Sequence, residues 1–197
     1  LNREIERAYE VSSENIATWI TNSNENIEFF KKRFKVNEIH LVKNGVSRDF
    51  INQELRTPDD MRNIPRPIVG FGGKISHLLN VDLINFLTKD NPNLSFVFVG
   101  QVLDQKTYKK IIKRKNVFFL GDKHYSAYPN YVSSFDIGII PYNINNQQHG
   151  GDSIKAYEYL AFNIKVVGTN GNGLQDLEEY IYIAVTHEQF SKEIKDK

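Results

Sequence analysis

Two kinds of hydrophobic pattern divide the chain. From residue 68 onward, short apolar runs at 68–72, 95–99, 117–120, 136–141, 165–168 and 181–185 alternate with amphipathic stretches. The runs are apolar at nearly every position rather than at every second one, as expected of strands buried on both faces. The stretches between them, at 79–90, 105–114, 125–134, 152–162, 173–179 and 187–195, carry apolar residues at helical spacing. Regular alternation of buried strand and helix predicts an α/β fold, a doubly wound parallel sheet of Rossmann-like type.

The first third is less regular. Ile5, Ala8 and Tyr9 have helical spacing within 1–10, and Ser12-Ser13 is expected to stop that helix. Residues 16–21 and 38–43 read as strands, the second ended by the turn dipeptide Asn44-Gly45. Between them Asn22 and Ser23 are N-cap candidates for a helix reaching Phe34, with Ile27, Phe30 and Phe34 as its buried stripe. Residues 52–67 are polar, carry Pro58, Pro65 and Pro67, and have no sustained period, which reads as an exposed connector.

Composition narrows the function classes. The chain has 197 residues, 40% of them hydrophobic, enough for one large α/β domain or a domain and a half. Its formal charge of +1 gives no reason to expect a nucleic-acid partner. With no cysteine there is no disulfide framework, thiolate metal site or cysteine nucleophile, a count that fits a reducing cytoplasm. No apolar run approaches the roughly 18 residues of a membrane span. The start at Leu1, directly in a charged helical pattern, suggests a piece of a longer protein. The basic run Lys106, Lys109, Lys110, Lys113, Arg114 and Lys115 reads as the solvated face of a helix whose apolar face is Tyr108, Ile111 and Ile112, with a lipid-headgroup or acceptor-phosphate role as the alternative.

In an open parallel sheet ligands bind outside the carboxyl ends of the strands, so the strand exits hold the candidate chemistry. The exit Gly70-Phe71-Gly72-Gly73-Lys74 offers bare backbone for a phosphate and a lysine to neutralise it, or else a tight turn with a solvated lysine. In His149-Gly150-Gly151-Asp152-Ser153-Ile154-Lys155, two glycines precede the N-cap types Asp152 and Ser153, so the start of a helix offers unpaired N–H groups to an anion. Further along that helix Glu158 shares a face with Ile154 and Ala161, roughly 8 to 9 Å from the helix start. The separation suits a nucleoside diphosphate, with pyrophosphate at the amino end and ribose at the carboxylate; the alternative pairs Glu158 with Lys155 at the surface. The exit 121–125 can frame a planar base through Tyr125, and the polar loop 141–148 has the composition of a substrate loop, with His149 beside the anion site. His40, His77, His124 and His187 lack metal-site spacing, so no metal is expected.

Taken in order, residues 17–23, IHLVKNGVSRDF at 39–50, IVGFGGK at 68–74, LSFVFVG at 94–100, VFFLG at 117–121, FDIGIIPY at 135–142 and DSIKAYEYLAFNIKVVGT at 152–169 resemble the retaining GT-B glycosyltransferases of family 4, particularly the bacterial cell-surface polysaccharide subgroup. The resemblance implies that 1–45 is the tail end of an N-terminal acceptor domain, 46–67 an interdomain connector and 68–197 a C-terminal domain that binds a nucleotide-sugar. It assigns Glu158 of KAYEYLA to the donor ribose, and diphosphate contact to Gly72, Gly73, Lys74, Ser153 and Ile154, while His149, Gly150, Gly151 and Lys155 complete the expected donor site. Lys74 and Glu158 are the residues expected to carry catalysis. The implied protein is cytoplasmic with peripheral contact at the inner face of the membrane. It uses no cofactor beyond its nucleoside-diphosphate-sugar donor, and meets a glycan or lipid-linked acceptor through the missing N-terminal domain. Two departures stand out: the family's first glutamate, eight before Glu158, is Gly150, and its second basic residue, six after Lys74, is Asn80. They leave open a non-catalytic GT-B-like partner subunit and a GT-B sugar-nucleotide epimerase.

Overall fold

A computed structural model describes residues 2–144, 151–171 and 173–196. The chain begins with helix α1 (Arg3–Asn15). This helix runs past Ser12-Ser13, which was expected to stop it, because Ser13 Oγ and Asn15 Nδ2 donate to the carbonyls of Glu10 and Val11 and so fit the helical backbone. Strand β1 (Trp19–Thr21), helix α2 (Asn24–Phe34) and strand β2 (Ile39–Leu41) follow, shorter at the strand ends than the sequence pattern. Ser23 caps α2, its Oγ accepting from Asn26 N. Strands β1 and β2 pair in parallel as a separate two-stranded sheet. Tyr9, Trp19, Phe30 and Phe34 pack their rings together between this sheet and its helices.

The segment expected to be an exposed connector is partly core. After the short helix α3 (Arg48–Ile51), Met61 and Ile64 are buried together with Phe50 against Ile68, Tyr131 and Phe135. Prolines remove periodicity without preventing single side chains from inserting, so the pattern hid these anchors.

The remainder forms six parallel strands. They are β3 (Ile68–Gly72), β4 (Ser95–Val99), β5 (Val117–Gly121), β6 (Ile137–Ile140), β7 (Lys165–Thr169) and β8 (Tyr182–Ala184), in the order β5-β4-β3-β6-β7-β8. Helices α4 (Val81–Asp90), α5 (Gln105–Lys110), α6 (Tyr128–Val132) and α7 (Ile154–Leu160) connect them, α8 (His187–Lys195) follows β8, and a 3-10 turn, Leu174–Leu177, stands where a helix over 173–179 was expected. Every residue of β3, β4 and β6 is buried, as the apolar runs require. One apolar cluster lies under α6 and α7, the other under α4 and α8. Helix α5 stops at Lys110 and leaves Ile112 48% exposed, so that residue does not join the apolar face expected of it; Thr107 and Ile111 form the buried face instead. Strand order reverses between β3 and β6, and a crevice at that switch point is where such sheets bind ligands. Among the described residues no helix is long and apolar enough to cross a membrane.

Candidate functional site

At the switch point β3 ends on Gly72-Gly73, and α7 passes across that exit. The Gly72 N–H donates to the hydroxyl of Tyr159 at 2.8 Å. A Cβ on Gly72 would lie 1.8 Å from Tyr128 Oη, so α6 brings a second phenol directly against the strand end. Gly73 has φ of +152°, and a Cβ there would lie 2.2 Å from Lys155 Cε and 2.9 Å from its Nζ. Glycine at both positions is therefore what lets Tyr128 and Lys155 close over the strand exit. The Gly73 N–H is also committed, to the Val99 carbonyl at 2.7 Å. The glycines thus offer an incoming phosphate close approach and the Lys155 ammonium, rather than donated N–H groups.

Glu158 is 4% exposed. Burial pushes its carboxyl up to about 7, with the Lys155 ammonium and the Tyr128 hydroxyl pulling the other way. The expected stripe of Ile154, Glu158 and Ala161 is not what packs: Ile154 is 42% exposed, and Ala156, Glu158 and Tyr159 turn inward. The helix is rotated because Tyr159, wholly buried, must reach Gly72. Burial raises the Tyr128 and Tyr159 phenols as well, so both stay protonated donors near neutrality. Tyr128 Oη lies against Glu158 and Tyr159, yet among the described residues it is buried without a hydrogen bond of normal geometry, as is Ser153 Oγ at the start of α7. An orphaned hydroxyl beside a buried carboxylate is a polar group that a bound ligand can satisfy.

Asp152, which the sequence offered as an N-cap, has a different task. Its carboxylate accepts from Asn44 N at 2.5 Å and from Tyr157 Oη at 2.7 Å, while Asn44 Nδ2 donates to its carbonyl. Lys43 pairs with Asp176 at 2.5 Å in the same region. The Asn-Gly segment after β2 is thereby fastened to the approach to α7. Ser153 occupies the N-cap position without a side-chain bond, and Gly151 and Asp152 precede it.

Lys74 is exposed and makes no hydrogen bond or ion pair among the described residues. Lys155, not Lys74, is the cation at Gly73. Asn80 is spent on its own helix, its Oδ1 accepting from Leu83 N to cap α4. His149 and Gly150 lie outside the described residues. The base-frame candidate Tyr125 is 55% exposed, its ring 5.7 Å from Phe50 and 6.4 Å from Tyr128. With Phe50, Gln53 and His124 it lines a cleft of about 420 Å³. Among the described residues no group of three or more His, Asp and Glu is placed to hold a metal. Tyr128, Tyr159 and the contact of Asp152 with Asn44 are the parts sequence reasoning missed.

Comparison with solved structures decides the fold. Sucrose-phosphate synthase from Thermosynechococcus elongatus superposes with a TM-score of 0.77 over 98% of this chain and 52% of its own, at 15% identity. The chain has the fold of one Rossmann-like half of a GT-B glycosyltransferase. The α,α-trehalose 6-phosphate synthase of Burkholderia multivorans matches this GT-B half with a TM-score of 0.63 over 89% of the chain and 50% of its own, at 12% identity. The E. coli trehalose-6-phosphate protein solved with UDP-2-fluoro glucose matches with a TM-score of 0.58 over 82% of this chain and 44% of its own, at 10% identity. In sequence, the chain is 26% identical over 150 residues to the putative teichuronic acid biosynthesis glycosyltransferase TuaH of Bacillus subtilis (strain 168). That match covers 74% of this chain and 38% of the relative, so the chain spans about two fifths of the curated relative and about half of the structures it matches. No protein-family model matches.

Proposed function

We propose that this GT-B half is the donor-binding part of a glycosyltransferase that moves a sugar from a nucleoside diphosphate to a surface glycan. The observation that carries the reading is the constellation at the β3 exit: buried Glu158, orphaned Tyr128 Oη and Lys155 Nζ at Gly73. In this reading Glu158 accepts from the ribose hydroxyls, Lys155 neutralises the diphosphate over Gly72-Gly73, and Ser153 with Ile154 borders it. Lys74, exposed at the mouth, adds a second cation. The base lies in the cleft framed by Tyr125 and Phe50. Departure of the nucleoside diphosphate builds negative charge on its terminal phosphate, and fixed cations stabilise that charge more in the transition state than in the ground state. Retention of configuration, a metal-free step and a donor domain at 68–197 joined by 46–67 to the acceptor-domain tail at 1–45 are parts of the same proposal. So is a cytoplasmic protein that meets a glycan or lipid-linked acceptor through a domain outside this chain. The support is a TuaH-like sequence, neighbours that include a UDP-sugar complex, and a cysteine-free composition.

The reading separates the two lysines. Lys155→Ala is expected to weaken UDP or GDP about 10-fold or more while leaving the matching nucleoside unchanged, since charge-assisted contacts are worth about 1.5–3 kcal/mol. Lys74→Ala is expected to do the same with a smaller effect. Equal loss for nucleoside and diphosphate, read by calorimetry, would remove the phosphate assignment.

A non-catalytic GT-B-like subunit is the second reading, favoured by Gly150 in place of the first glutamate and by the use of Asn80 as a helix cap. It predicts a folded chain without affinity for any nucleoside diphosphate.

A further inference from the structure

Helix α7 carries Lys155, Glu158 and Tyr159, and its seven residues are too few to hold a helix in place without outside support. Its second half is fixed to the sheet, where the Gly72 N–H donates to Tyr159 Oη at 2.8 Å. Its first turn is held differently. Among the described residues Ser153 stands at the N-cap without a side-chain bond, and the residue before it makes the contacts instead. Asp152, 8% exposed, accepts at Oδ2 from Asn44 N at 2.5 Å and at Oδ1 from Tyr157 Oη at 2.7 Å. Its carbonyl accepts from Asn44 Nδ2 at 2.7 Å. The turn after β7 packs on the same spot: Gly173 has φ of +76°, and a Cβ there would lie 1.8 Å from the Gly151 carbonyl oxygen. That turn is itself tied to the start of the chain, since Asp176 pairs with Lys43 at 2.5 Å and accepts from Asn24 Nδ2 at 3.3 Å. Lys43 and Asn44 thus close a ring around Gly151-Asp152, through Asp152 on one side and through Asp176 and Gly173 on the other.

A buried carboxylate is costly unless donors satisfy it, and the donors of Asp152 come from two directions, one across the structure and one from the helix itself. The backbone at 152 is thereby fixed relative to both. We infer that Asp152 is a positioning residue for the donor diphosphate: held by Asn44 and Tyr157, it sets the first turn of α7 so that the Lys155 ammonium stands at Gly73. This role rests on the donor reading above. It divides the helix in two, the Asp152 joint governing Lys155 and hence the phosphates, the bond of Tyr159 to Gly72 governing Glu158 and hence the ribose.

The test is calorimetric titration of the chain and its variants with whichever of UDP, GDP and ADP binds the parent, and with the matching nucleoside. Asp152→Ala is expected to weaken the diphosphate about 10-fold and to leave the nucleoside within about two-fold of the parent. Asp152→Asn is expected to restore most of the loss, because its amide oxygen accepts from Asn44 N while its amide nitrogen donates to Tyr157 Oη. Asn44→Ala keeps the backbone donor and is expected to cost less, about 3-fold. Since the joint acts through Lys155, Asp152→Ala is expected to add little to the loss in Lys155→Ala, a coupling that a loosened fold does not produce. Thermal melting of each variant reports the fold; where Asp152→Ala does not melt cooperatively, Asn44→Ala and Tyr157→Phe, which removes only the phenol donor, carry the same comparison. Diphosphate affinity unchanged in Asp152→Ala, equal loss for the nucleoside, or losses that add fully to that of Lys155→Ala overturn the inference while the donor reading stands. Absence of nucleotide binding by the folded parent removes the donor reading and this inference with it.

Discussion

Replacement of Glu158 by glutamine is expected to weaken nucleoside diphosphate binding by about 10- to 100-fold and to stabilise the unliganded chain above pH 7. The first effect follows from losing a carboxylate acceptor for two ribose hydroxyls, each hydrogen bond to a charged group being worth about 1.5–3 kcal/mol. The second follows from the direction of its shift. The folded carboxyl is raised from 4.5 to about 7, so between those values the folded chain holds a proton that the unfolded chain has released. Stability therefore falls as pH rises through that window and is level above it. The loss at full ionisation is on the order of 3 kcal/mol, which moves the melting temperature of a chain this size by roughly 6–12 °C. Glutamine has no charge to desolvate, so Glu158→Gln should melt well above the parent at pH 8 and close to it at pH 4.5. Melting curves that fall in parallel across that range would show that Glu158 is not the buried carboxyl described.

Gly138→Ala is expected to be strongly destabilising. Gly138 lies in β6 opposite Gly70, and a Cβ there would fall 2.3 Å from the ring of Tyr159. That ring is fully buried, packed edge-on to Phe135, and fixed at its far end by the Gly72 N–H. It has no free direction in which to yield. Overpacking of this kind costs about 1–3 kcal/mol, and withdrawing the phenol leaves a buried N–H unsatisfied at about 1–3 kcal/mol more. A fall in melting temperature of roughly 4–24 °C is expected. Tyr159→Phe separates the two contributions by removing only the hydroxyl. Because Tyr159 holds the strand exit beneath the donor, both variants should also lose nucleotide affinity. A Gly138→Ala chain that melts with the parent would mean that Tyr159 is not seated on Gly138.

The parallel sheet was legible because burial on both faces writes itself into consecutive positions, as in β3 and β4. The two-residue switch at Gly72-Gly73 and the carboxylate at 158 were legible too, since glycines at a strand exit and a charge within KAYEYLA break the local pattern. What periodicity could not supply was rotation. A seven-residue helix constrains its own facing weakly, and Tyr159 reaching Gly72 turned Glu158 inward and Ile154 out. Gly70 and Gly138 inside buried strands were the available signal for that contact, because glycine in a strand marks a close approach; their added Cβ atoms would enter the rings of Phe135 and Tyr159. The approach of Lys155 to Gly73, and the seat of Asn44 on Asp152, depend on elements far apart in sequence and left no local trace.

The most direct test of the donor-site account is calorimetric titration of the folded chain with UDP, GDP, ADP and CMP, with and without magnesium. The account predicts binding of one diphosphate independent of magnesium, weakened at least 10-fold by Glu158→Gln. Absence of binding to every nucleotide by a chain that melts cooperatively, or affinity unchanged in Glu158→Gln, would contradict it.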